Sequence, residues 1–270
     1  MRRVARIRTH RTAKWIGLMV LAAPVALVAQ ERDWCEDSGD QDRARYCEVR
    51  EFTLAASGSI EVDGRPNGGI SVEAWDRNEV LVQARVVGNA EEEERAREIA
   101  SQVEVQTSGT VRAEGPDTER REWWSVSYRI FVPGNYDLNL TSMNGGIGVS
   151  GVSGSLELET MNGGLHLADV GGDVHGRTTN GGLHVELSGD RWQGDGLEAQ
   201  TTNGGVTLEI PEGYSANLEA ETTHGGFSVD FPVTVSGKIG KRISTALGSG
   251  GAPIRVITTN GGVRVQRSGN

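Results

Sequence analysis

His166 and His184 stand 18 residues apart, and the same 18-residue step recurs in the surrounding chain. If such a repeat stacks, the two imidazoles come within ~5 Å, one strand spacing, close enough to share a transition-metal ion. No third ligand at a fixed spacing accompanies them. The simpler expectation is two solvated side chains and no metal, with His166 and His184 the only pair to weigh.

Acidic residues recur in the outward columns, which read Glu157, His175, Glu198 and Glu219, then Glu159, Arg177, Gln200 and Glu221, then Glu186, Glu209 and Asp230. Stacked carboxylates repel one another, and Ca²⁺ would relieve that repulsion. The chain lacks the Gly- and Asp-rich nonapeptide of calcium-binding β-rolls, so a solvated acidic face is the plainer reading and no cofactor is expected. Paired carboxylates such as Glu157 with Glu198 or Glu219 could also serve a polysaccharide-cleaving β-helix. Any regular repeat with Glu on one face yields such pairs, however, and no catalytic motif is present. The expectation is a protein that is not an enzyme. Trp123 and Trp124, beside the charged loop 115–122, and Trp192, in an insertion between repeats, could stack on sugars or partner proteins. They could equally close the ends of a core.

The elements that position these groups follow from one motif. Asn-Gly-Gly occurs at 67–69, 144–146, 162–164, 180–182, 203–205 and 260–262, with His-Gly-Gly at 224–226. Steps from Asn144 onward are 18, 18, 23, 21 and 36 residues. Within each unit apolar and polar residues alternate, the period of a half-buried strand. Aligned on their glycines, the units give inward columns: Leu138, Leu156, Val174, Leu197, Leu218 and Ile254, then Ser142 followed by Thr160, Thr178, Thr201, Thr222 and Thr258. These features predict an all-β, single-stranded parallel β-solenoid (β-helix-like) with 18–23-residue coils over 136–270. Gly-Gly would supply positive φ at each corner. Asn144, Asn162, Asn180, Asn203, His224 and Asn260 would point inward as a structural corner ladder, each amide donating to the next.

Residues 51–135 repeat the theme weakly and read as a β-rich section continuous with the repeats. One short amphipathic helix falls near 90–102, with Ile99 and Val103 on its apolar side. A stack of strands needs capped ends. The N-terminal section would supply one cap and the insertion 231–253 the other.

Residues 1–14 carry six cationic side chains and no acid, and 15–29 form an uncharged apolar run broken by Pro24. This is the pattern of a signal peptide, too short to span a bilayer comfortably, although a retained N-terminal anchor is the alternative. Residues 1–29 hold six of the 27 basic residues and none of the 37 acidic ones, so the remainder carries 21 against 37, a net charge of −16. That balance argues against nucleic acid as a partner. Cys35 and Cys47, the only cysteines, lie in the segment 30–50 and read as a disulfide in an exported protein. Zinc ligation by the pair is the weaker reading, since no His lies nearby. Of the chain's residues, 38 are Gly, 14% of 270 and about twice the usual share, which excludes a helical bundle.

The strand, Pro/Gly turn, strand pattern of Phe131-Val-Pro-Gly-Asn-Tyr-Asp-Leu-Asn-Leu returns at Ile210-Pro-Glu-Gly-Tyr-Ser-Ala-Asn-Leu. With the opening FTLAASGSIEVDG and the tandem Thr-Asn-Gly-Gly units, residues 50–267 resemble the bacterial putative adhesin family, exported β-strand-repeat proteins whose domain is of unknown function. The resemblance implies a periplasmic, cell-surface or secreted location and adhesion, and it carries over no catalytic residues. The functional expectation is a non-enzymatic envelope or secreted interaction module, adhesin-like, whose partner is a surface protein or glycan. A polysaccharide-active enzyme is one alternative. A periplasmic scaffold or sensor that self-associates through open strand edges is the other.

Overall fold

A computed structural model describes residues 34–35, 43–230 and 241–268. The signal-peptide expectation for 1–29 lies outside the described residues. Among the described residues the chain is all-β apart from the helix α1 (Glu93–Gln102) and two helical residues at 34–35, and its strands form two sheets of ten. The first sheet runs β1 (Ala44–Ala55), β4 (Glu79–Ala90), β7 (Trp123–Pro133), β3 (Ile70–Trp75), β9 (Ile147–Ser150), β11 (Leu165–Ala168), β13 (Leu183–Glu186), β15 (Val206–Ile210), β20 (Val263–Arg267) and β17 (Phe227–Val229). The second runs β18 (Arg242–Leu247), β16 (Ala216–His224), β19 (Pro253–Asn260), β14 (Gly196–Asn203), β12 (Gly171–Asn180), β10 (Ser153–Asn162), β8 (Asp137–Asn144), β2 (Ser59–Asp63), β6 (Val111–Glu114) and β5 (Glu104–Gln106).

Each repeat sends a strand into the second sheet, turns at its Gly-Gly, and returns a shorter strand to the first. Pairing between repeats is parallel and in the predicted register, with Leu156 facing Leu138 on one side and Val174 on the other. The inward columns are buried between the sheets: Leu156, Leu167, Leu208, Val174 and Val256 show no exposure. Each such side chain contributes about 1.5–3 kcal/mol on burial.

Two expectations about the corner differ from the structure. None of the fourteen corner glycines has a positive φ. What demands glycine is stacking: a Cβ on the first glycine of a corner would strike the carbonyl of the equivalent glycine in the adjacent unit, as Gly163 would strike Gly145 and Gly261 would strike Gly204. The asparagine ladder exists but faces solvent. The strand turns at the residue before each Asn, and both Met161 and Asn162 emerge exposed. Nδ2 of Asn162 donates to Oδ1 of Asn144 at 2.9 Å, and the same bond links Asn144 to Asn67, Asn180 to Asn162, Asn203 to Asn180 and Asn260 to Asn203 at 2.8–3.0 Å. Among the described residues no such bond reaches His224. Beneath the ladder the threonines point inward as expected, and each hydroxyl donates to a corner carbonyl of the adjacent unit: Thr160 to Gly145, Thr178 to Gly163, Thr201 to Gly181 and Thr258 to Gly204, at 2.7–2.8 Å.

A third difference is the order of the units. Asn203 pairs with Asn260, and the last unit in the chain, β19–β20, lies between β14–β15 and β16–β17. The first unit, β2–β3, likewise lies between β6–β7 and β8–β9. All units carry the same columns, so the repeat pattern is satisfied by either order. At the N-terminal end β1, β4 and β7 form an antiparallel ribbon against which α1 packs Ala96, Ile99 and Ala100. The expected boundary at residue 50 falls inside β1. At the other end β18, from the insertion 231–253, pairs antiparallel with β16 and covers the edge of the second sheet; residues 231–240 lie outside the described ones.

Candidate functional site

The histidine pair lies on the outward face of the first sheet. In β11 and β13 alternation turns Leu165, Leu167, Leu183 and Val185 inward and leaves His166 and His184 as outward register partners. Their rings stack 4.9 Å apart at 4°. Glu186, two residues past His184 on the same face, accepts from His184 Nε2 at 2.8 Å and lies 3.9 Å from His166 Nε2. Glu209, the register partner of Glu186 on β15, places Oε1 3.6 Å from His184 Nε2 and accepts from Gln266 Nε2 at 3.0 Å. A third metal-capable group therefore completes the pair, although no fixed repeat spacing marks it. Its signal was the alternation itself, because residues two apart on a strand share a face. Alongside runs an open groove floored by the corner glycines Gly146, Gly164, Gly182 and Gly205.

On the second sheet the outward columns mix acidic residues with other side chains, in the register read from the repeat. His175 stands between Glu157 and Glu198, and Arg177 lies between Glu159 and Gln200. The inserted β19 puts Arg255 between Glu198 and Glu219, with its guanidinium 3.3 Å from one and 3.9 Å from the other. Arg242 on β18 pairs with Glu219 from the far side. The inserted Arg255 thus separates Glu198 and Glu219, which the chain order alone would set side by side. Glu219 also lies four strands from Glu157, about 19 Å at the strand spacing, too far apart for the two carboxylates of a glycosidase. Glu198 is two strands away.

Of the three tryptophans, Trp123 is 41% exposed. Trp124 is half-buried and donates Nε1 to Pro116 O. Trp192, readable as a contact or as part of the core, is 6% exposed and packed into the core, with Nε1 donating to Gly172 O at 3.0 Å. It lies in the loop between β13 and β14, in the middle of the stack and not at its end. Cys35 and Cys47 are joined by a disulfide. No helix among the described residues is long and apolar enough to cross a membrane.

A sequence profile described as Toastrack DUF4097 matches residues 100–266. No curated protein matches the chain. Among solved structures, the chain is similar to a putative cell adhesion protein from Clostridium sporogenes, at 8% identity over 83% of this chain and 100% of that one, with a TM-score of 0.48. It is also similar to a putative adhesin from Bacteroides fragilis, at 10% identity over 83% and 97% of the two chains, TM-score 0.38. A third is a putative lipid binding protein from Parabacteroides distasonis, at 11% identity over 83% and 97%, TM-score 0.31.

Proposed function

The chain belongs to the Toastrack DUF4097 family, a family of unknown function, and on that premise we infer that it is an exported, non-enzymatic interaction module that docks on a surface protein or glycan of the cell envelope. One observation carries this reading: both sheets turn regular rows of polar side chains to solvent in strict parallel register, while the apolar columns are consumed by the core. A rigid face with side chains repeating every ~4.8 Å suits recognition of an extended or repetitive partner. In this reading the repeats are coils of 18–23 residues in a solenoid-like stack, and the two displaced end units lock its ends. The Cys35–Cys47 disulfide supports export, since such bonds persist in oxidising compartments.

The experiment is a glycan array probed with the full chain, run beside an assay for product release from the same glycans. Saturable binding without product is the expected result. Release of cleaved sugar would overturn the reading in favour of a polysaccharide-active enzyme.

A further inference from the structure

The geometry points to a binding site for one divalent transition-metal ion, of the zinc class, formed by His166, His184 and Glu186 with Glu209 at its rim. The ligand atoms of His166, His184 and Glu186 all lie within 4.8 Å of one another. Donors of a tetrahedral zinc ion sit about 3.3 Å apart, given bonds of ~2.0–2.2 Å. The two measured approaches to Glu186 Oε1, 2.8 and 3.9 Å, bracket that value. Side-chain rotation alone closes the difference, because His166 and His184 are 54% and 34% exposed and free to tilt out of their stack.

Three further features favour an ion over a simple ion pair. Glu186 and Glu209 are direct register neighbours, like charges side by side in a parallel sheet, which is destabilising unless a cation stands between them. The second sheet shows how this chain resolves such repulsion with its own residues, by inserting Arg255 between Glu198 and Glu219. Glu186 and Glu209 have Ala168 and Gln266 as their other register neighbours, and the groups facing Glu186 are the imidazoles of His166 and His184, two positions away on the same face. Imidazole with carboxylate is also a donor set suited to zinc, copper or nickel and poorly suited to calcium or magnesium. Finally, Gln266 holds Glu209 from the next strand, the kind of outer contact that orients a carboxylate beside a metal. On ligation the ion takes the place of the proton between His184 Nε2 and Glu186, and the imidazole stays neutral with its one N–H on Nδ1. The three groups leave one tetrahedral position for a fourth ligand.

The test is titration of the full chain, without a histidine tag, with Zn²⁺ by calorimetry, and with Co²⁺ by its visible absorption. The expected result is one ion per chain, a tetrahedral Co²⁺ spectrum, and affinity reduced about tenfold or more in each of His166→Ala, His184→Ala and Glu186→Gln. His175→Ala, on the other sheet, should bind as wild type does. All four positions are on the surface, and equal urea midpoints establish that the variants are folded. Absence of stoichiometric binding up to about 1 mM Zn²⁺, where a Kd corresponds to only ~4 kcal/mol, would overturn the proposal. So would equal affinity in wild type and the three ligand variants, or an equal loss in His175→Ala.

Discussion

Substitution of the two glycines of one corner separates the steric account of the repeat from a conformational one. A Cβ on Gly204 would strike the carbonyl of Gly181, lying 2.5 Å from its carbon and 3.0 Å from the nitrogen of Gly182. Carbon atoms in contact need about 3.5 Å, so the two corners must part by roughly 1 Å. That displacement falls on Gly181 N–H donating to Asn203 O at 3.1 Å, Thr201 Oγ1 donating to Gly181 O at 2.7 Å and Asn203 Nδ2 donating to Asn180 Oδ1 at 2.9 Å. Three hydrogen bonds at about 1 kcal/mol each give an expected loss of about 3 kcal/mol for Gly204→Ala. A Cβ on Gly205 has only Gly262 O at 3.5 Å as a neighbour, an ordinary contact. Gly205→Ala should therefore change stability by less than about 1 kcal/mol, helped by the lower entropy of the unfolded chain. Urea unfolding followed by circular dichroism measures both, with the midpoint reporting stability at a constant slope. Equal losses in the two variants, or a harmless Gly204→Ala, would refute the close-approach argument.

Other expectations follow from the same geometry. Thr178→Val keeps the shape of a buried side chain but removes the donor to Gly163 O, and should cost about 1–2 kcal/mol in urea melts; Thr179→Val, on the exposed side, should cost almost nothing. Arg255→Glu sets three acidic side chains in adjacent rows beside Glu198 and Glu219. A loss of about 1 kcal/mol at low salt that shrinks in 1 M NaCl is expected from melts at the two ionic strengths. The Tyr128 hydroxyl is buried without a hydrogen-bond partner among the described residues, so Tyr128→Phe should raise the urea midpoint, by about 1 kcal/mol. Burial, and secondarily Asp190, pushes the Tyr214 hydroxyl up to about 12, and burial followed by Asp63 raises Tyr128 as well. A raised folded-state value means that their contribution is complete below the ordinary tyrosine value near 10 and is lost as pH climbs from there through about 12. Alkaline unfolding should therefore be shallower in a Tyr128→Phe, Tyr214→Phe double variant, as followed by far-UV circular dichroism against pH.

The columns of the core were legible because they depend only on alternation and on the glycine register. Leu138, Leu156, Val174 and Leu197 needed nothing beyond a period of two and a common corner. The inward Thr column and the amide ladder were legible for the same reason. The direction of the ladder was not, because alternation ends where the backbone turns at Met161 and its equivalents. Unit order was hidden by the repeat itself: Asn260 matches Asn203 as well as His224 does, and only the charge of Arg255, which pairs with both Glu198 and Glu219, hinted that β19 belongs between two glutamates. Glu186 was not legible as a partner of the histidines because it lies two residues from His184 and off the 18-residue step. Trp192 was ambiguous in type, since an indole in an insertion serves a cap or a contact equally well until its depth is known.

The central claim, that contact function resides in the outward rows while the interior serves stability alone, is tested most directly by one binding comparison. Wild type and a Glu157→Gln, Glu159→Gln, Arg177→Gln variant are titrated against the glycan or purified surface protein that the wild-type chain retains, with unfolding midpoints measured in parallel. The account predicts saturable wild-type binding, at least tenfold weaker binding in the variant (about 1.4 kcal/mol), and midpoints that coincide. Undiminished binding by the variant, or conversion of the ligand to product by the wild type, would contradict it.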